Sequence, residues 1–157
     1  MAKAKAAVRK PTHEEFVFRL RDPSASYGFS LQIRKQDRDA FWEHQDVICI
    51  GECLHPDRFK GREAKVRLSG NRDLMNVTAR ESGNWKPTAI GYMDAGKSKF
   101  EVSISLPSDA CWQVGAAMAA GTITSLLING PVLSRGQTTL TYASFAGSEF
   151  DPIAYIG

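Results

Sequence analysis

The chain is poor in the features that announce a compartment or a chemistry. None of its 157 residues fall in an apolar run near the roughly 18 needed to cross a bilayer. Lysines lie near the N-terminus with no apolar stretch behind them, so a secretory signal is not expected. Three cysteines are an odd count and make no disulfide framework. The resulting expectation is a cytoplasmic protein with reduced thiols. There is no internal repeat and no G-x-S-x-G nucleophile elbow, and His13, His44 and His55 have no sequence-local partner that marks a triad.

Acid is missing from one place in particular. The first ten residues hold Lys3, Lys5, Arg9 and Lys10 and no Asp or Glu. These four charges exceed the whole net charge of +3, so the remainder of the chain carries one net negative charge. The basic character belongs to an arm, residues 1–12, read as flexible. Residues 13–157 are read as one nearly neutral domain, large enough to form a core without staples.

What is abundant is period-two alternation. Phe16, Phe18 and Leu20 alternate with Val17, Arg19 and Arg21; Phe29, Leu31 and Ile33 with Ser30, Gln32 and Arg34; Val102, Ile104 and Leu106 with Glu101, Ser103 and Ser105. Such spacing places one set on a packed face and one toward water. Strands are expected at about 15–21, ended by Asp22-Pro23, and at 28–35, with Ser24–Gly28 as a turn. Residues 36–45 read as a loop. Asp46–Leu54 is apolar on both faces and reads as a central strand covered on both sides. Further strands are expected at 63–68, 88–93, 100–106, 122–128 and 138–145. One period change breaks the series. Pro107-Ser108-Asp109 is a helix-start signal with Ser108 or Asp109 available as cap, and Gly121 suits the exit. The helix near 108–120 would bury Cys111, Val114 and Met118, with Trp112 in the core. The fold expected is mainly β: an antiparallel two-sheet sandwich, jelly-roll-like, of about eight strands with one short helix. A barrel or an α+β sheet is second.

Four constellations invite chemistry. Gly91-Tyr92-Met93-Asp94-Ala95-Gly96-Lys97-Ser98 fits the phosphate-loop pattern G-x4-G-K-[S/T]. That mechanism needs a helix after the loop, and residues 100–106 alternate as a strand, so a hairpin turn is expected. Cys49, Cys53 and His55 look like ligands. On a strand, however, residues four apart lie roughly 13 Å from one another, beyond a shared zinc. No metal or cofactor is expected. Arg58, Lys60, Arg62, Lys65 and Arg67, with the arm, could track a phosphate backbone, but a charged edge strand accounts for them as well. Asp37, Asp39, Glu43, His44 and Asp46 crowd a stretch around Phe41 and Trp42; split pKa values would suit acid–base chemistry, while a solvated acidic loop is the plainer reading.

The function expected is a non-catalytic binding or protein-interaction module, engaging a protein partner or a second copy of itself. The alternative is a small-molecule or carbohydrate-binding sandwich using Trp42, Trp85, Asp39, Glu43 and His44. Further alternatives are an enzyme working from the 37–46 loop, and nucleic-acid binding through the arm and residues 58–72.

Overall fold

The computed structural model describes residues 12–31, 41–72, 89–149 and 154. The basic arm and Ile33, Asp37, Asp39 and Trp85 lie outside these residues, as does the Trp42 side chain. Among the described residues are eight strands and one α-helix: β1 (His13–Leu31), β2 (Phe41–His55), β3 (Glu63–Asn71), β4 (Gly91–Ala95), β5 (Phe100–Pro107), α1 (Ser108–Ala119), β6 (Ser125–Pro131), β7 (Gln137–Leu140) and β8 (Tyr142–Ala146). A single 3-10 turn, Asp57–Phe59, joins β2 to β3.

The strands form one mixed sheet in the order β7-β4-β5-β3-β2-β1-β6-β8, not two stacked antiparallel sheets. The pair β3–β5 is parallel and every other pair antiparallel. β5 follows β4 through a hairpin and so runs in the same direction as β3. The sheet's two ends belong to one strand path interrupted at Thr141: β7 pairs with β4 at one end, and β8 pairs with β6 at the other. At the break the Thr141 amide donates to the Asn129 carbonyl at 2.9 Å. A Cβ added to Gly130 would stand 2.1 Å from the Thr139 carbonyl oxygen, so β6 and β7 touch backbone to backbone there. The sheet therefore curls shut, and its inner face surrounds a core to which α1 adds Cys111 and Met118. A sandwich needs two layers for the same burial.

Length permits that curl. β1 runs for 19 residues across the expected turn. The bend is absorbed at Asp22-Pro23, where the register with β2 slips between Arg21 and Ser24 and Asp22 takes a φ of 54°. Asp is among the residues that tolerate this region. Pro23 lies beyond Arg19, where pairing with β6 has ended, so its missing N–H leaves no β6 acceptor unpaired. Residues 41–45 are likewise strand rather than loop, held opposite Tyr27–Leu31.

Phe16, Phe18, Val66, Leu68, Ile104 and Leu126 lie in the fully buried interior. β2 is central, but its outer face has no second layer among the described residues. Ile48 and Ile50 are half-buried there, flanked in register by Arg67 and Lys65, whose aliphatic stems shield apolar surface. One end of the barrel is filled by Phe59, whose ring centroid lies 6.0 Å from Phe16 and 5.6 Å from Phe100. The helix covers the other end. Cys111, Gly115 and Met118 form its buried stripe, and Val114, as expected, packs against the core beside them, half-buried. A Cβ on Gly115 would meet Val47 Cγ2 at 2.8 Å, so glycine sets how closely the helix approaches β2. Pro107 occupies the N-cap position with no side-chain cap, contrary to the capping expected of Ser108 or Asp109. Gly121 takes the exit position at φ 74°. Trp112 is next to the buried stripe rather than on it and is 41% exposed, not in the core.

The phosphate-loop match is a hairpin. β4 and β5 pair antiparallel from Gly91↔Ile104 to Ala95↔Phe100, with Gly96–Lys99 as the turn. No described helix is long and apolar enough to cross a membrane.

Candidate functional site

Beyond Asp46, β2 leaves β3, and β1 has already left β6. The two strands continue together as a ribbon, residues 26–31 against 41–46. One face carries Tyr27, Phe29 and Leu31, with Gln45 and Glu43 opposite Tyr27 and Phe29. Alternation predicts that Phe29 and Leu31 pack. They are instead 61% and 62% exposed, because the barrel has ended and no described layer lies over them.

Tyr27 leans toward α1. Its ring centroid is 6.3 Å from that of Trp112, with the planes tilted by 41°. Between ribbon, helix start and the end of β3 lies a cleft of about 480 Å³, lined by Glu43, Gln45, Arg72, Pro107, Ser108, Asp109 and Trp112. Gln45 forms its floor. It is 3% exposed, donates from Nε2 to the Ser108 carbonyl at 3.0 Å, and packs against the bare backbone of Gly70. A Cβ on Gly70 would fall 2.4 Å from Gln45 Oε1.

The charged groups here are tied. Arg72 meets Glu43 side-on, Nη2 donating to Oε1 at 2.8 Å and Nε lying 2.5 Å from Oε2. This pair holds the Glu43 carboxyl below its ordinary range, and the nearby Tyr27 phenol lowers it further. The carboxylate in turn pushes the phenol's own pKa up. Asp46 accepts from Arg67 Nη2 at 2.6 Å, from Arg67 Nε at 3.1 Å and from Ser69 Oγ at 2.7 Å. Its carboxyl too is held low, chiefly by Arg67. Two carboxylates both depressed do not make the split pair that acid–base catalysis needs. His44 points to the opposite face from Glu43 and stacks over Gly28, where an added Cβ would meet its ring at 2.1 Å. Of the residues expected to bind a small ligand, Glu43 lines the cleft and His44 does not. Asp39, Trp85 and the Trp42 side chain lie outside the described residues.

The basic set divides. Arg58 pairs with Glu14. Arg62 stacks 5.5 Å from the Phe59 ring centroid and 4.9 Å from that of Phe100 and donates to the Gly96 carbonyl at 2.6 Å. Lys65 and Arg67 stand exposed on the outer face of β3, with Arg67 bound to Asp46; Lys60 is exposed in the turn before it. Cys49 and Cys53 are buried, and burial pushes both thiols up to about 11. No group of three His, Cys, Asp or Glu residues suited to a metal occurs among the described residues.

A larger hollow of about 660 Å³ lies outside β4 and β7, between Tyr92, Arg135 and Thr139. Its carboxylate, Asp94, already accepts from the Gly96 amide and from Gln137 Nε2. Its lining is mainly apolar, whereas that of the cleft under the ribbon is mainly polar.

Sequence reasoning missed Tyr27, Gln45, Arg72 and Asp109 as neighbours. The legible signal was negative: Ser24–Leu31 contains no charged residue, unusual for an exposed strand. No family model, curated protein or solved structure matches the chain.

Proposed function

We propose that the chain is a non-catalytic interaction module whose contact element is the β1–β2 ribbon, and that its first partner is a second copy of itself. One observation carries this reading. From Ser24 to Gly28 the strand that pairs with β1 among the described residues is β2, on one edge, and Ser24–Leu31 bears no charge. Edge strands are ordinarily protected by lysine, proline or a covering element, because their unpaired amides and carbonyls template further pairing. An antiparallel edge meets its own copy about a two-fold axis with the same groups on both sides. Exposed Leu31 would add apolar contact beside the backbone bonds. The tied carboxylates and the buried, poorly acidic thiols support a binding role over a catalytic one.

Sedimentation velocity on the full chain tests this. The expected result is a concentration-dependent dimer, converted to monomer by Ser26→Lys with Leu31→Lys at unchanged melting temperature. A strict monomer at the highest soluble concentration, or a dimer indifferent to both lysines, removes the reading.

A further inference from the structure

The cleft beneath the ribbon has a composition that selects by charge as well as by shape. Glu43 and Asp109 place two carboxylates on its wall, which opposes an anionic guest. Arg72 stands among them, and its side-on pair with Glu43 cancels one of the two negative charges. Groups so placed suit a guest that bonds through hydroxyls. The bonding capacity is present. A guanidinium offers five donors, and the Glu43 pair engages Nε and Nη2. Carboxylates accept from more than one hydroxyl each. Trp112 and Tyr27, 41% and 51% exposed, offer apolar ring faces beside these polar groups. An aromatic ring next to planar polar side chains matches a pyranose, which has C–H groups on one face and hydroxyls around its rim. The volume of about 480 Å³ falls within the range of small-ligand sites and would hold one or two sugar rings. The floor is preorganised, since Gln45 is buried and fixed to the Ser108 carbonyl.

From these groups we infer that the cleft between the ribbon and the start of α1 is a binding site for a neutral saccharide, with Trp112 as stacking platform and Glu43, Arg72 and Asp109 as hydroxyl partners. The site uses the inner face of the ribbon and the helix, not the outer edge of β1. It stands whether or not the chain self-associates.

The test is saturation-transfer NMR followed by calorimetry on the full chain, against neutral tetrasaccharides of glucose (α- and β-linked), mannose, xylose and galactose, with choline chloride and inorganic phosphate as charged probes. At least one neutral oligosaccharide is expected to bind, and Trp112→Ala to weaken it at least about 10-fold, as loss of an aromatic anchor does. Trp112→Ala must keep a cooperative thermal transition for that comparison. Asp109→Asn, at an exposed position of the first helical turn, provides a second variant and is expected to weaken binding as well. Ser26→Lys alone, on the opposite face of the ribbon, should bind sugar as the parent does. Silence across the neutral panel overturns the inference. So does preference for choline or phosphate, or sugar binding that neither Trp112→Ala nor Asp109→Asn disturbs.

Discussion

The two ends of the barrel are built from the same materials and finished differently. At the end filled by the 3-10 turn, Phe16, Phe18, Phe59 and Phe100 interlock, and Arg62 lies over two of their rings while donating to the Gly96 carbonyl. At the helix end, Tyr27 and Trp112 approach one another and Arg72 pairs with Glu43, but the rings face water and a cleft opens beside Trp112. Aromatic and arginine side chains close the first end and furnish the second. The difference is one of partner count. Phe100 is touched by Phe18, Phe59 and Arg62 together, whereas Trp112 sits one position off the buried stripe of its helix. The closed end should therefore carry stability, and the open end should carry binding.

The largest effect expected is at the closed end. Phe100→Ala should lower the free energy of unfolding by about 3–5 kcal/mol, the range for a large aromatic removed from a core. Trp112→Ala should cost well under half as much. Urea unfolding of both variants measures this. Equal losses would show that the helix end is as much core as the other and would break the contrast.

Next in size is the arginine pair. Arg62→Met removes two ring contacts and a hydrogen bond to a backbone carbonyl, and should cost about 1–2 kcal/mol. Arg72→Met removes an exposed pair and should leave the urea midpoint nearly unchanged. The same denaturation experiment decides it: a larger shift for Arg72 than for Arg62 would reverse the assignment of roles.

Much of this arrangement was legible in the sequence, and the part that was not has identifiable causes. Alternation at 16–20 and 100–106 located two core strands, and the hairpin expected across Asp94–Lys97 turns two residues later, at Gly96–Lys99. The helix start near Pro107 and its exit at Gly121 followed from local chemistry. Closure was not readable. It depends on one strand path serving both sheet ends with Thr141 as the break, a long-range fact with no local marker. The same holds for β1: Asp22-Pro23 has the composition of a strand end, and only the absence of β6 beyond Arg19 lets the strand continue through it. The cleft was missed for a related reason. Tyr27, Glu43, Arg72, Asp109 and Trp112 come from four separate elements or their ends, and proximity among them is made by the fold. Phe29 and Leu31 carry the pattern of buried residues, and alternation alone cannot say where the covering layer stops.

A third prediction concerns acid, where the ribbon joins the barrel. Asp46 is depressed in the folded state by Arg67 and Ser69, so its unfolded carboxyl binds protons more readily. Its contribution is then fully present above the unfolded carboxylate range and is lost as pH falls through the lower folded value. Melting temperature should fall on acidification through that window. Asp46→Asn should start lower at neutral pH and fall less steeply. A variant whose acid slope matches the parent's would assign the acid sensitivity to other carboxylates.

The smallest effect is one of rates, and it separates the two ends without any mutation. At pH 8, thiols with pKa near 11 are ionised to only about one part in a thousand, so Cys49 and Cys53 should resist alkylation in the native protein. Cys111 is also fully buried, with its thiol 3.7 Å from the Leu68 carbonyl oxygen, and burial raises its pKa as well. Exposure of the three differs in kind. Freeing Cys49 or Cys53 requires β2 to part from its neighbours in the sheet, close to global unfolding. Freeing Cys111 requires only that α1 lift from the barrel end, and that helix has no side-chain cap at its start and buries a single narrow stripe. Local openings of this kind cost less than the global free energy. Mass spectrometry after timed iodoacetamide exposure should find Cys111 modified first, with Cys49 and Cys53 following at the rate of global unfolding. Simultaneous labelling of all three would mean that the helix is released only when the barrel itself opens, and the end with the cleft would then be as firmly held as the end without one.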